Sequence, residues 1–189
     1  GLWPAIWMLP VDDKYGGWAA SGEIDLMEIV GEEPHEVLNS LHFGSSYPRR
    51  SLITTTHRLP GGSRVSDWHT YTVEWEPGEV RFFVDDVQTC TYRHWWSCSR
   101  LEAGQGVQAT AETDLNPWPA PFDQPFYLLM NVAVGGNFPG HPNAQTQFPA
   151  ELVIDWVRVY DKAGGYGAAA PRGPGAMPWE PGHVDERRQ

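Results

Sequence analysis

The stretch GEIDLMEIVG, residues 22–31, places three carboxylates inside an apolar segment that has the composition of a β-strand. Charged side chains are excluded from strand interiors unless they face water or a functional cleft. Side chains alternate faces along a strand, so Glu23 and Asp25 share one face and Glu28 falls on the other. A one-residue β-bulge at Leu26-Met27 restores the parity. The stretch therefore predicts a bulged strand with all three carboxylates on one side.

Carboxylates grouped on one strand face suit the hydrolysis of a glycosidic bond. Retaining glycosidases use two carboxyl groups about 5–5.5 Å apart, one as nucleophile and one as general acid/base. Glu23 and Glu28, leaning over Asp25, can reach that separation across about four strand steps of roughly 3.3 Å. Asp25 between them raises pKa values by like-charge repulsion, which keeps one Glu protonated near neutral pH. The same E-x-D-x-x-E pattern also fits a solvated strand face, and the pattern alone does not separate these alternatives.

The segments around this stretch are typical of strands. They are short, β-branched or aromatic, and bounded by Gly, Pro, Asn or Asp, and no segment keeps a helical apolar period over several turns. This pattern predicts an all-β sandwich or jelly roll. Residues 88–124 are predicted to form a long loop, with Trp95, Trp96 and Trp118 at the rim of a cleft. The remaining predicted strands are Glu36–Phe43, Thr70–Trp75, Glu79–Val87, Phe126–Val134 and Glu151–Tyr160.

Composition limits the partners of this chain. Its 189 residues carry 13 Lys and Arg against 24 Asp and Glu, which gives a net charge of −11 and a pI near 4.9. Nucleic acids and anionic membranes bind basic surfaces, so neither is an expected partner. Apolar runs stay well below the roughly 20 residues that a membrane helix needs. Hydrophobic residues make up 41% of the chain, which is enough for one globular domain with a packed core.

The two cysteines allow two interpretations. Cys90 and Cys98 either close a loop disulfide, as in secreted proteins, or remain two separate thiols. Their spacing relative to the histidines does not suggest a zinc site.

The composition changes near the end of the chain. Residues 162–189 are rich in Gly, Ala and Pro and are predicted to form a flexible tail. The folded domain is therefore expected to span residues 1–161.

The chain carries six motifs in a characteristic order: GLWPAIWMLP (1–10), WAASGEIDLMEIVG (18–31), SLHFG (40–44), WHTYTVEWEPGEVRFFV (68–84), PFDQPFYLLMNVAVGGNFPG (121–140) and FPAELVIDWVRVYD (148–161). Together they resemble glycoside hydrolase family 16, and specifically its laminarinase-like endo-β-1,3-glucanases, over nearly all of residues 1–161. The resemblance implies an all-β, concanavalin A-like β-sandwich jelly roll. Family domains carry several strands before the first of these motifs, so the resemblance also implies a sandwich that lacks its first strands.

The resemblance assigns roles to residues of this sequence. Glu23 matches the nucleophile, Glu28 the general acid/base, and Asp25 the carboxylate that holds the nucleophile and tunes the pair. Asp155 matches a position that implies a ligand of a structural calcium ion, whereas the reaction itself is expected to need no cofactor. The positions that line the family's substrate cleft are matched by Trp3, Trp7, Trp18, His42 and Asn131.

The function implied by the resemblance is endo-hydrolysis of β-1,3-glucan, a laminarin-type polysaccharide, with mixed-linkage β-1,3-1,4-glucan as the next candidate substrate. The resemblance also implies secretion, and a monomer is expected. Two alternatives remain: a glucan-binding relative that does not cut its ligand, and an inactive partial fragment. Binding relatives typically lose the catalytic glutamates, whereas Glu23 and Glu28 are both present here. The sequence therefore favours the enzyme.

Overall fold

The computed structural model describes residues 1–180, and its regular elements are nearly all β-strands. β-Branched and aromatic residues favour the strands, and Gly, Pro, Asn and Asp favour the turns between them. Two single-turn 3₁₀ helices, Pro60–Gly62 and Glu112–Asp114, lie in loops, and no helix in the described range is long and apolar enough to cross a membrane. The strands are β1 Leu2–Pro10, β2 Glu23–Glu28, β3 Glu36–Gly44, β4 Arg50–Arg58, β5 Tyr71–Glu76, β6 Glu79–Val84, β7 Val87–Tyr92, β8 Leu101–Glu102, β9 Gln105–Gly106 and β10 Phe126–Val134.

The strands form two larger antiparallel sheets and one short hairpin. The five-stranded sheet has the order β10-β1-β2-β3-β4, the three-stranded sheet has the order β5-β6-β7, and β8 pairs with β9. The predicted strand Glu79–Val87 ends earlier, at Val84, as β6. A tight turn at Asp85 and Asp86, with φ of 50° and 65°, then leads into β7, which begins at Val87. The predicted all-β sandwich is confirmed.

The main core lies between the two larger sheets. Ile24 of β2 pairs with Leu41 of β3, and both side chains are fully buried. Phe82 of β6, in the second sheet, belongs to the same apolar cluster. Because side chains alternate along a strand, Glu23 and Asp25, on either side of Ile24, lie on the other face of the five-stranded sheet. That face is the one available to a ligand.

The tryptophans predicted at a cleft rim pack in the core instead, so that prediction is wrong. Trp95 and Trp96 are 0% and 2% exposed. The Trp95 ring stacks on Trp118 with a centroid distance of 4.7 Å and meets Phe122 edge-on at 5.1 Å. Residues 88–124 therefore do not form an open loop: they include most of β7 and the β8–β9 hairpin, and they fold back so that their aromatic rings face inward.

The predicted strand Glu151–Tyr160 does not form a strand in the structure. Val159 and Tyr160 are 91% and 75% exposed, although the sequence alternates in the manner of a strand. A strand exists only where a neighbouring backbone supplies ladder hydrogen bonds. None of the described strands pairs with this segment. Its β-propensity alone is therefore insufficient.

Part of the predicted tail lies against the sandwich. The Ala170 amide donates to the Pro77 carbonyl at 2.9 Å, and Met177 is 8% exposed within the main core cluster. The Gly/Ala/Pro-rich composition predicted a flexible tail because it offers few side chains to bury. A few apolar side chains and backbone hydrogen bonds nevertheless hold part of it against the sandwich. The domain boundary after residue 161 stays a prediction. Residues 181–189, the end of the predicted tail, lie outside the described residues.

The two cysteines are separate free thiols. Cys98 is buried in the main core, and Cys90 is partly buried on β7. Burial raises the pKa of both thiols, which keeps them protonated and unreactive. The structure therefore agrees with the interpretation of two separate thiols and not with a Cys90–Cys98 disulfide.

Candidate active site

The acidic strand β2 carries the predicted β-bulge. Asp25 and Glu28 are three residue steps apart, whereas their partners on β3, Ser40 and Leu38, are two steps apart. The register against β1 shifts at the same place. One extra residue restores the parity of the strand. Glu23, Asp25 and Glu28 consequently lie on the same face, opposite the core, as the spacing predicted.

A buried asparagine holds the bulge from the core side. Asn39 is 0% exposed, and its Nδ2 donates to the carbonyl of Leu26, a residue of the bulge, at 2.6 Å. Thr89 Oγ1 donates to Asn39 Oδ1 at 2.6 Å, and the Tyr92 hydroxyl donates to the Asn39 carbonyl at 3.0 Å. A bulge removes backbone groups from the regular ladder, and buried polar groups need partners. Asn39 was not among the residues predicted from the sequence, where its only signal is a polar residue in an apolar strand.

Replacing Asn39 by Ala is expected to lower the free energy of unfolding by about 2–3 kcal/mol, because the Leu26 carbonyl and the Thr89 hydroxyl both lose a buried partner. Urea denaturation followed by tryptophan fluorescence measures the loss. Thr89→Val is the matched control: it removes the hydroxyl that donates to Asn39 and that also lies 3.2 Å from the Phe82 carbonyl, but it leaves the bond from Asn39 to Leu26 in place. Its expected cost is about 1 kcal/mol. An Asn39→Ala variant as stable as the wild type would contradict the assigned role of Asn39 at the bulge.

Glu23 lies beside a tryptophan donor and a histidine. Trp18 Nε1 donates to Glu23 Oε2 at 2.6 Å, and His42 Nε2 lies 3.6 Å from Glu23 Oε1. The Glu23 side chain is only 14% exposed. Burial, and then the charge of Asp25, raise the pKa of Glu23 to about 8. In the substrate-free protein this carboxyl therefore favours its protonated form at neutral pH.

Asp25 and Glu28 complete the carboxylate cluster. Asp25 is 2% exposed, and burial followed by the charge of Glu28 holds the pKa of Asp25 well above its usual range. Glu28 accepts hydrogen bonds from Trp3 Nε1 at 3.2 Å and Ser40 Oγ at 3.1 Å, while burial raises the pKa of Glu28. Adjacent buried carboxylates cannot all be ionised. The cluster therefore retains at least one proton near neutral pH, as a general acid beside a nucleophile requires.

The predicted cleft residues surround this cluster. Trp3 and Trp18 each donate to one of its carboxylates. Trp7 Nε1 donates to Asn131 Oδ1 at 2.7 Å across the β1–β10 pair, and the His42 ring lies 5.4 Å from the Trp18 ring. The structure thus brings all five predicted positions to the carboxylate-bearing face. Aromatic faces with a polar N–H suit a sugar ring and its hydroxyls.

A pocket of about 410 Å³ opens beside Glu23, and Trp7, Trp18 and Tyr127 are among its lining residues. Tyr127 is 46% exposed and was not among the residues predicted from the sequence. Its signal was the two-residue alternation of β10, which places Tyr127 on the same face as Asn131.

Among residues 1–180, one group of three His, Cys, Asp or Glu side chains brings its ligand atoms within 4.8 Å of one another, and it consists of Glu23, Asp25 and His42. These are members of the cluster already described. Asp155 is exposed and belongs to no such group in the described range. A Ca²⁺ site normally combines several oxygen ligands, which can include backbone carbonyls. Calcium ligation by Asp155 and the lack of a cofactor requirement both stay predictions.

The sequence model of the family described as "Glycosyl hydrolases family 16" matches residues 1–99. The chain is 44% identical to a glucan endo-1,3-beta-glucosidase A1 from Niallia circulans, over 85% of this chain and 22% of that protein. It is also 44% identical to a beta-glucanase from Rhodothermus marinus, over 85% of this chain and 52% of that protein.

A solved structure is similar over a comparable share of the chain. The laminarinase catalytic domain from Thermotoga maritima MSB8 superposes with a TM-score of 0.59 at 34% identity, over 78% of this chain and 53% of that one. The chain spans about half or less of the length of each of these three proteins.

Proposed function

The chain belongs to glycosyl hydrolases family 16, and from that premise we propose that it is a retaining endo-glycosidase that hydrolyses β-1,3-glucan of the laminarin type. The observation that carries the proposal is the bulge of β2, which sets Glu23, Asp25 and Glu28 on one face of the sheet. Two carboxyls on one side of a bound sugar are what retaining hydrolysis needs. Tryptophans on the same face supply stacking surface for a polysaccharide.

The first chemical step forms a glycosyl-enzyme. In the reactive protonation state of the coupled cluster, Glu23 is ionised and the proton is on Glu28. Glu28 donates that proton to the glycosidic oxygen, while a Glu23 carboxylate oxygen attacks the anomeric carbon. The bond between that carbon and the leaving oxygen breaks, and an ester bond to Glu23 forms. Trp18 Nε1, at 2.6 Å from Glu23 Oε2, holds the attacking carboxylate in position. Asp25 lies between the two glutamates in the strand and keeps the cluster from losing all of its protons.

The second step releases the product with retained configuration. Glu28, now a carboxylate, takes a proton from a water molecule, and the hydroxide attacks the anomeric carbon from the face that the leaving group vacated. The ester bond breaks and Glu23 departs as a carboxylate. Two inversions at one carbon give net retention. Each glutamate returns to its starting protonation state, so the cycle closes without a cofactor.

The choice of a neutral glucan is supported by charge and by the relatives. The chain carries a net charge of −11, so a sulfated polysaccharide would meet few basic side chains. Two of the relatives are named as a glucan endo-1,3-beta-glucosidase and a beta-glucanase. A polysaccharide of this kind is met outside the cell, so the proposal includes secretion. One chain holds the whole carboxylate cluster, so a monomer is sufficient for the reaction.

The test is reducing-end release from laminarin by the 189-residue chain, with mixed-linkage β-glucan as a second substrate. We expect laminarin to be cut faster, because the proposal assigns the cleft to β-1,3-linked chains. Proton NMR during the first minutes is expected to show the β-anomer of the new reducing end before mutarotation. Initial appearance of the α-anomer would show inversion and overturn the retaining mechanism.

A glucan-binding role without hydrolysis is the competing function. It predicts that laminarin retards the protein in affinity electrophoresis while no reducing ends appear, even at high protein concentration. Binding together with release by the wild type supports the hydrolase. Binding without release under conditions in which the protein shows a cooperative unfolding transition would favour the binding role.

A further inference from the structure

We propose that Arg50 is a positioning residue that fixes His42 and Trp18, the two side chains whose N–H groups face Glu23. For its catalytic consequence this inference rests on the proposed hydrolase function. Its structural consequence, the tautomer of His42, can be measured independently of any activity.

Arg50 is a buried cation at the back of the carboxylate cluster. It begins β4 and is 3% exposed. Its Nη1 lies 3.3 Å from His42 Nδ1, and its Cζ lies 5.0 Å from the centre of the Trp18 ring. A single guanidinium therefore touches both neighbours of Glu23: it meets one through a hydrogen bond and the other through its flat face.

The contact with His42 has only one possible direction. A guanidinium has donors and no acceptor, so Arg50 donates and His42 Nδ1 accepts with its lone pair. A histidine that accepts at Nδ1 carries its proton at Nε2. Arg50 thus selects the His42 tautomer whose Nε2–H faces the carboxylates.

The selected tautomer places a donor where the cluster lacks one. His42 Nε2 lies 3.4 Å from Asp25 Oδ2 and 3.6 Å from Glu23 Oε1. Asp25 Oδ2 is buried and makes no hydrogen bond in the described structure. Catalytic hydrogen bonds are often long without substrate and shorten in the reacting complex. With the other tautomer, a nitrogen lone pair would face these oxygens and repel them.

Trp18 is the second element that Arg50 fixes. Its indole is 36% exposed at the surface of the cleft, yet its Nε1 must point at Glu23 Oε2. The guanidinium packs against the indole ring and restricts its rotation. The Trp18 donor and the His42 N–H that faces Glu23 at 3.6 Å therefore depend on the same buried side chain. Both favour the carboxylate form of Glu23 that attacks in the first step and departs in the second.

The test compares three variants of Arg50 and its strand. Arg50→Met removes the donor and keeps an unbranched side chain, and Arg50→Lys keeps a donor without the planar face. Arg58→Gln, at the other end of β4, removes an exposed arginine whose side chain is 71% accessible and pairs with Glu36. Nitrogen-15 NMR of histidine-labelled protein reports which ring nitrogen of His42 carries the proton, and kinetics on laminarin give kcat and KM.

We expect the wild type and Arg58→Gln to show the Nε2–H tautomer and equal kcat. Arg50→Met is expected to show a mixture of tautomers and a kcat lowered about 10–100-fold with KM changed little, as for other residues that orient a catalytic group. Arg50→Lys is expected to recover the tautomer and part of kcat. If the substitutions acted only by weakening the fold, Arg50→Lys would not recover the Nε2–H tautomer that Arg50→Met loses.

Two results would overturn the inference. One is an unchanged Nε2–H tautomer in folded Arg50→Met, which would show that His42 is oriented by something else. The other is a raised KM with unchanged kcat, which would make Arg50 a substrate contact. If neither the wild type nor any variant releases sugar from laminarin, the proposed hydrolase function fails. The comparison of His42 tautomers still decides the role of Arg50 in that case.

Discussion

Replacing Glu28 by Gln is expected to lower kcat on laminarin by about 10³-fold, and to lower the rate of the first step far less on an oligoglucoside that carries a dinitrophenolate leaving group. General acid catalysis contributes about 10²–10⁴-fold because a sugar alkoxide leaves poorly without a proton. Dinitrophenolate leaves without protonation. Glutamine keeps the shape of the side chain but cannot transfer a proton. The loss of rate should therefore be larger for the more basic leaving group. Stopped-flow release of dinitrophenolate measures the first step.

Azide separates the roles of the two glutamates. In Glu28→Ala, azide needs no base to attack the glycosyl ester on Glu23, so the expected product is a glycosyl azide with the β configuration of the substrate. In Glu23→Ala, azide occupies the space of the missing carboxylate and attacks the anomeric carbon directly, so the α-glycosyl azide is expected. The assignment follows from which carboxylate forms the covalent bond. NMR of the isolated azides distinguishes the two products.

An exposed carboxylate supplies the control for these variants. Glu33→Gln changes a surface glutamate in the β2–β3 connection, and its activity should equal that of the wild type on both substrates. The assignment of roles is wrong if Glu28→Gln loses both substrates equally, or if both alanine variants give the same azide anomer.

The central strand was predictable because its constraint is local. Two-residue alternation, three acidic residues and an apolar background admit one arrangement in which all the carboxylates share a face, and that arrangement requires a bulge between Asp25 and Glu28. The structure contains this bulge. The resemblance placed Trp3 and Trp7 in the cleft, and strand alternation puts both on one face because they are four residues apart.

The features that the sequence analysis missed depend on contacts between distant segments. Trp95 and Trp96 lie in a polar segment, and only the folded structure, which buries both rings, shows that they are core residues. Arg50 begins a β-strand and reads as a surface charge, yet the fold buries it against His42. Propensity and spacing describe a segment, whereas burial depends on which other segments cover it.

Glu151–Tyr160 shows the opposite error. The segment has the alternation and composition of a strand, but pairing requires a neighbouring backbone, and no described strand lies beside it. A sequence pattern reports how well a segment would fit a sheet. It does not report whether a partner is present.

Removing the carboxylate of Glu23 is expected to make the protein more stable at alkaline pH than the wild type. The pKa of Glu23 is about 8 in the folded protein, against 4.5 as its ordinary value. Between these two pH values the folded state binds more protons than the unfolded state, so the free energy of unfolding falls as pH rises. The slope is about 1.4 kcal/mol per pH unit for one proton, and the expected loss between pH 5 and pH 8 is about 3 kcal/mol.

Glu23→Gln removes the titrating carboxyl group, and with it this dependence of the free energy of unfolding on pH. The glutamine oxygen still accepts from Trp18 Nε1, but its amide group meets the Nε2 side of His42 and loses one favourable contact, which costs about 1 kcal/mol at pH 5. At pH 8 the wild type carries a buried, partly unpaired negative charge that the variant lacks. The variant should therefore be slightly less stable at pH 5 and about 2 kcal/mol more stable at pH 8.

Urea unfolding at pH 5, 6.5 and 8 measures how the free energy of unfolding changes with pH in the wild type and in Glu23→Gln. The Glu33→Gln control is expected to follow the wild type at every pH. Curves for Glu23→Gln that stay parallel to the wild type would mean that the folded environment of Glu23 does not favour its protonated form. A crossing of the curves would show that the carboxylate required as a nucleophile opposes the stability of the fold around it, a conflict expected where a charge is held for chemistry rather than for folding. The donors Trp18 and His42, aligned by Arg50, then have a defined purpose: they offset part of the cost of the charge at the position where the reaction needs it.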